Sequence, residues 1–240
     1  MTRVAVLASG SGTNLQAILD HQSVLGSTAS ANVVLVASDH ADAGALTRAR
    51  DVGVTAVALD RSSRTTGLAA ILAAHRIELV ALAGYLRLVP PDVVSHFRGR
   101  LLNVHPALLP EFGGPGMYGP RVHAAVIARG ARLTGPTVHF VDERYDEGPI
   151  IAQWPVPVLA SDTAESVAGR VLAVEHLLYP RIVEAVAAGL IHLDSANQVR
   201  YNNGIDAKQL SVTADVGAAT AHLDAILRGS RLQSSLSPDL

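Results

Sequence analysis

Alternation is the feature that most constrains this chain. Five short apolar runs, Arg3–Ala8, Asn32–Ala37, Val54–Leu59, Ile77–Ala83 and Leu101–His105, are separated by helical patterns and polar turns. Continuous apolar runs bounded by turns read as strands buried on both faces. Strands that alternate with helices build a parallel sheet covered on both sides. The expected fold is therefore α/β: a doubly wound, mostly parallel sheet of about seven strands with helices on both faces. In such sheets ligands bind beyond the carboxyl ends of strands, where the strand order reverses. The turns after the first, fourth and fifth runs are the places to look for chemistry.

Composition narrows the function classes. The chain has 240 residues, enough for one large domain or a domain with a tail, and 49% hydrophobic content supplies a core. It has no Cys, which excludes disulfides, thiolate metal sites and a cysteine nucleophile. The net charge is −2 and there is no basic block, so nothing points to nucleic acid. No apolar run is long enough to span a bilayer, and the N-terminus goes straight into a strand without a signal-peptide pattern. The expectation is a cytoplasmic protein with no membrane partner.

The first run leads into Ser9–Gly12 and a helix beginning near Asn14, with apolar positions at Leu15, Ile18 and Leu19. A strand, a Gly-x-Gly turn and a helix N-terminus form an anion site of backbone N–H groups. Gly10 and Gly12 suit a tight turn, and Ser11, Thr13 and Asn14 offer side-chain donors for a terminal phosphate. A dinucleotide loop is the competing reading. Its third glycine position is occupied by Leu15, although Asp39 ends the next strand where such loops carry an acid. A plain strand-to-helix turn is the third.

The stretch Leu101–Pro110, LLNVHPALLP, carries the other signal. Side chains alternate along a strand, so Asn103 and His105 point the same way. An amide N–H can hold a developing oxyanion and an imidazole can move a proton. A turn-capping Asn and a satisfied half-buried His are the bland alternative. Downstream, Glu111–Gly119 is a glycine-rich loop, Val122–Arg129 a helix, Leu133–Val141 a strand, and Asp142–Gly148 an acidic loop that includes Asp146. Ser161 or Asp162 is expected to cap a helix over Thr163–Ala188, kinked or divided at Pro180. From Ile191 the composition turns polar, and Val212–Leu227 has a helical pattern. The expected division is a catalytic domain over 1–190 and a partly helical C-terminal extension over 191–240.

Four motifs, VLASGSGTNLQ, LAGYLRLV, LLNVHPALLP and TVHFVDERYDEGPIIAQ, resemble in order and spacing the folate-dependent formyltransferases of purine biosynthesis, the glycinamide ribonucleotide transformylases. The likeness runs over about residues 3 to 190. It implies a Rossmann-like formyltransferase fold and transfer of a formyl group from 10-formyltetrahydrofolate to the amine of glycinamide ribonucleotide, without a metal. It implies that Asn103 binds the formyl oxygen and that His105, protonated, helps stabilise the oxyanion. Asp146 would orient His105 and help carry a proton. By the same resemblance Gly10, Ser11, Gly12, Thr13 and Asn14 hold the substrate phosphate, and Glu175 belongs to the ribonucleotide site. Arg64, Tyr85, Leu86, Arg87, Leu88, Val89, Val141 and Asp142 fall on the folate side. A homodimer is left open.

Two departures stand out: the loop Phe112-Gly113-Gly114-Pro115-Gly116 is longer than the family's usual Phe-Pro-Gly, and Leu172 replaces a glutamine found in some members. A formyltetrahydrofolate hydrolase would use a similar Asn, His and Asp set with water as acceptor, normally behind a regulatory domain. A methionyl-tRNA formyltransferase would carry a basic C-terminal RNA-binding domain. A non-catalytic nucleotide-binding module would keep the glycine loop without needing Asn103, His105 and Asp146 together.

Overall fold

The computed structural model describes residues 1–60 and 67–202. Arg64 and the helical pattern over Val212–Leu227 lie outside the described residues. The first half winds as β1 (Thr2–Leu7), α1 (Thr13–Leu25), β2 (Ala31–Ser38), α2 (Gly44–Asp51), β3 (Thr55–Ala58), α3 (Leu68–Ala74), β4 (Leu79–Leu82), α4 (Pro91–His96) and β5 (Leu101–His105). It continues as α5 (Pro120–Ala128), β6 (Leu133–Thr134), β7 (Thr137–Phe140), β8 (Ile150–Gln153), β9 (Val156–Pro157), α6 (Ala164–Ala187), β10 (Ile191–Leu193) and β11 (Val199–Tyr201).

The main sheet has seven strands in the order β3-β2-β1-β4-β5-β7-β8. The first five are parallel, and β7 and β8 are antiparallel additions. Strand order reverses between β1 and β4, so the chain winds outward in both directions from that pair. Alternate residues feed two cores, as a doubly wound sheet requires. Val4 and Val6 pack with Leu15 and Ile18 of α1, Leu46 of α2 and Tyr179 and Ile182 of α6. Ala5 and Leu7 pack on the other face with Leu68 and Leu72 of α3, Val93 of α4 and Phe97 just after it. A third cluster joins Phe112, Val122 and Val126 to Val167 and Val171, seating α5 on the first half of α6.

Several local expectations need correction. Leu133–Val141 is two strands: Gly135, at φ +141°, and Pro136, which lacks an N–H, break it, and β6 pairs with β9 while β7 joins the main sheet. The cap of α6 is Thr163, whose hydroxyl accepts from Ser166 N–H at 3.2 Å while Ser166 Oγ accepts from Thr163 N–H at 3.0 Å. Asp162 is instead engaged by the Arg170 guanidinium. The helix is not divided at Pro180, because Tyr179, Pro180, Ile182 and Val183 are all buried and their packing offsets one lost bond. Beyond residue 190 the chain forms the β10–β11 hairpin, and Ile191 is buried in the first core. No helix among the described residues is long and apolar enough to cross a membrane.

Candidate active site

The turns after β1, β4 and β5 open onto one cavity of about 780 Å³. Its far walls come from the 114–120 loop, the 139–146 segment and α6.

β5 delivers Asn103 and His105, and its antiparallel partner β7 supplies a third group. The register sets Asn103 opposite His139 and His105 opposite Thr137. His139 Nδ1 lies 2.8 Å from the Phe140 carbonyl and must donate to it, which leaves a lone pair on Nε2. Asn103 Nδ2 is 3.1 Å from that Nε2, so the amide donates there and its orientation is fixed by the network. Sequence reasoning placed Thr137 and His139 on one strand face but did not assign His139 to the site. The missing information was the β5–β7 register.

Asp146 is the hub. Its Oδ2 accepts from Gly114 N–H at 3.0 Å and lies 3.5 Å from His105 Nδ1. Its Oδ1 lies 3.5 Å from Asn103 Nδ2 and 3.7 Å from His139 Nε2. Asp146 adopts φ 57°, a left-handed conformation that a non-glycine residue keeps only when its surroundings demand it. Burial pushes its carboxyl up, but the hydrogen bonds it accepts, that of the Gly114 amide among them, hold it below the ordinary value.

His105 is buried, and its Nε2–H donates to the Phe112 carbonyl at 2.7 Å. Burial lowers its pKa, against the opposing pull of Asp146 and the Phe112 carbonyl. Burial thus works against the protonated imidazole that the resemblance implies, while Asp146 and the Phe112 carbonyl favour it. Proton uptake at Nδ1 would create an N–H facing Asp146.

The long glycine loop has a physical reason. A Cβ on Gly113 would meet Leu109 Cδ2 at 2.5 Å and Asp146 Cβ at 3.0 Å. Only glycine lets the loop close over Asp146 at this point. Thr137 anchors the preceding turn, donating to the Ala107 carbonyl at 2.6 Å and accepting from Leu109 N–H at 3.0 Å.

At the first loop, Ser11, Thr13 and Asn14 line the cavity, whereas Gly10 and Gly12 do not. Gly12 is required by φ +75° and by Ala45, whose Cα a Cβ would approach to 2.6 Å. Gly10 is not required by the turn, since its φ is not positive and a Cβ would meet nothing within 4 Å. Asn14 Nδ2 donates to Glu175 Oε2 at 2.6 Å, and the buried Asn14 Oδ1 has no partner among the described residues. Burial raises Glu175 to about 7, with the Asn14 bond acting the other way. Leu172 lines the cavity beside it.

On the opposite wall Tyr85 and Val89 are buried in the second core, while Leu86 and Leu88 are exposed to the cavity. Arg87, Val141 and Asp142 also line it. Asp39 does not serve a nucleotide ribose, as the dinucleotide reading would need. It is buried, with Ser9 Oγ donating to it at 2.6 Å and Arg87 Nε at 3.0 Å. Among the described residues no group of three or more His, Cys, Asp or Glu side chains is arranged to hold a metal ion.

Fold and site together define a doubly wound α/β protein with an Asn–His–Asp cluster between a helix N-terminus and an apolar strap. The formyl transferase family signature matches residues 2–183, and the chain belongs to that family. It is 42% identical over 191 residues to the chloroplastic phosphoribosylglycinamide formyltransferase of Arabidopsis thaliana, covering 77% of this chain and 65% of that relative. The chain thus spans a little under two thirds of that relative's length. It is 37% identical over 198 residues to the phosphoribosylglycinamide formyltransferase of Escherichia coli (strain K12), covering 79% of this chain and 89% of that protein. The glycinamide ribonucleotide transformylase 1 structure from Symbiobacterium toebii superimposes with a TM-score of 0.76 at 42% identity, covering 85% of this chain and 95% of that one.

Proposed function

We propose that this chain transfers a formyl group from 10-formyltetrahydrofolate to the amine of glycinamide ribonucleotide, a step of purine biosynthesis. The observation that carries this reading is the convergence of Asn103, His105 and Asp146 between a phosphate-type loop and an apolar strap.

Ser11, Thr13 and Asn14, at the N-terminus of α1, suit the phosphate through backbone N–H groups and hydroxyls. Asn14 Oδ1 and the protonatable Glu175 suit ribose hydroxyls, one accepting and the other able to donate or accept. Leu86, Leu88 and Val141 suit the flat ring of the formyl donor.

The reaction is attack of the amine nitrogen on the formyl carbon, followed by loss of the folate nitrogen. Asn103 keeps one N–H on His139; the other, 3.5 Å from Asp146, is held loosely enough to turn to the developing oxyanion. Neutral His105 accepts the proton that the amine loses, directly or through a water, and Asp146 stabilises the imidazolium that results. The proton then goes to the leaving folate nitrogen. The cytoplasm is the expected compartment.

The test is a formyl-transfer assay with 10-formyltetrahydrofolate, with and without glycinamide ribonucleotide. Product only with the ribonucleotide, lost in His105→Ala, is the expected result. Product without the ribonucleotide would make the chain a hydrolase, and no product from either would leave a binding protein.

A further inference from the structure

A strongly tied carboxylate that this chemistry does not use is Asp39, the residue that directly follows β2. Its side chain is 1% exposed. A carboxylate removed from water costs free energy unless its oxygens are bonded, so its partners reveal what it is for. They come from the other two turns at the switch point of the sheet. Ser9, after β1, donates its hydroxyl to Asp39 Oδ1 at 2.6 Å and accepts the Leu86 N–H at 2.9 Å. Arg87, after β4, donates Nε to Asp39 Oδ2 at 3.0 Å. His40 Nε2 lies 3.5 Å from the same oxygen. Ser9 N–H also donates to the Gly84 carbonyl at 3.0 Å. Three residues of the strap, Gly84, Leu86 and Arg87, are thus held from one side by Ser9 and Asp39. Their neighbours Tyr85 and Val89 are held from the other side by burial in the core.

We propose that Asp39, relayed by Ser9, is a positioning residue that sets the 84–89 strap for the formyl donor and leaves the ribonucleotide side untouched. This rests on the functional reading above. The strap needs such a device because Leu86 and Leu88 are about half exposed, at 48% and 51%, and gain little from the core. An apolar wall of this kind binds a flat ring only if its backbone is held at a fixed height above the cavity. The acid that ends β2 in a dinucleotide-binding fold faces the ribose; here the same position braces the adjacent turn.

The experiment is isothermal titration of wild type, Asp39→Asn and Ser9→Ala with tetrahydrofolate and, separately, with glycinamide ribonucleotide, together with amide hydrogen exchange over residues 84–89. Asp39→Asn should raise the Kd for tetrahydrofolate about tenfold, or about 1.4 kcal/mol, leave the Kd for the ribonucleotide unchanged, and speed exchange at Leu86. Ser9→Ala, which leaves the Asp39–Arg87 pair in place, should raise the Kd for tetrahydrofolate more than that for the ribonucleotide and speed exchange at Leu86, and it carries the test if Asp39→Asn does not fold. A structural role alone would weaken both ligands together, and that result overturns the proposal. So would variants that bind both ligands as wild type does with exchange unchanged. A wild-type chain that binds the ribonucleotide but not tetrahydrofolate overturns the functional reading, and this proposal with it.

Discussion

Asn103 and His139 face each other as register partners across the β5–β7 ladder, with Asn103 Nδ2 3.1 Å from His139 Nε2. The bond orients an amide that would otherwise rotate freely about its last torsion, and it keeps the NH2 end toward the reacting centre. His139→Ala should lower kcat about 100-fold, the cost typical of a misplaced catalytic group, with small changes in either KM. Steady-state kinetics on both substrates check this. A variant with wild-type kcat would show that Asn103 needs no such support.

Gly113 admits no side chain, because Leu109 and Asp146 already occupy the space. Gly113→Ala should lift the loop from Asp146, break the Gly114 N–H bond and reduce kcat by about tenfold or more. The loop is at the surface of the cavity, so the melting temperature should move by only a few degrees, about what 1 kcal/mol produces in a domain of this size. A large loss of stability with intact kcat would contradict this assignment.

Glu175 makes folding depend on pH. Its folded pKa lies at about 7 against an ordinary 4.5, so the folded chain binds the extra proton. Its stabilising contribution is complete below 4.5 and is lost as pH rises through about 7. At about 1.36 kcal/mol per unit the loss is on the order of 3 kcal/mol. Glu175→Gln keeps an acceptor for Asn14 without the charge. It should be more stable than wild type at pH about 8.5, above the folded pKa, and no more stable at about pH 4, below the unfolded one. Denaturant midpoints at the two pH values decide it.

His105 and Asp146 shift the other way. Both pKa values are lowered, from 6.5 and 3.8, so the unfolded chain binds more protons and stability falls on acidification. The His105 contribution begins to fall below about 6.5 and the Asp146 contribution below about 3.8. If the chain performs the proposed transfer, the acid limb of kcat/KM just below neutrality is expected from the amine of the acceptor, whose free pKa is about 7.7–8.0. Asp146→Asn should depress the whole profile without moving that limb; a limb that shifts by a unit in this variant would assign it to the enzyme instead.

Most of this was legible before the coordinates, for identifiable reasons. The parallel strands are buried on both faces, so Arg3–Ala8 and Ile77–Ala83 stand out as apolar runs. Asn103 and His105 share a face because a strand has period two, which needs no tertiary information. The same period puts His139 on the face of Thr137, but only the antiparallel register brings it to Asn103. Asp146 as a hub depends on its own left-handed loop conformation, far along the chain from β5, and on the glycine loop after β5 closing over it; resemblance points to it, and local pattern does not. The break at Gly135-Pro136 was present in the sequence as turn chemistry and was outweighed by the apolar pattern around it. The cap of α6 moved to Thr163 because Arg170, two turns along the helix, takes Asp162.

The Ser9 N–H to Gly84 carbonyl bond ties the phosphate-type loop and the apolar strap edge to edge where the two halves of the sheet part. The separation of the two walls is therefore inherited from interstrand spacing, a quantity that side-chain substitution hardly alters. Either wall can change its lining to suit a different nucleotide or a different ring without changing how far one reactant has to reach for the other.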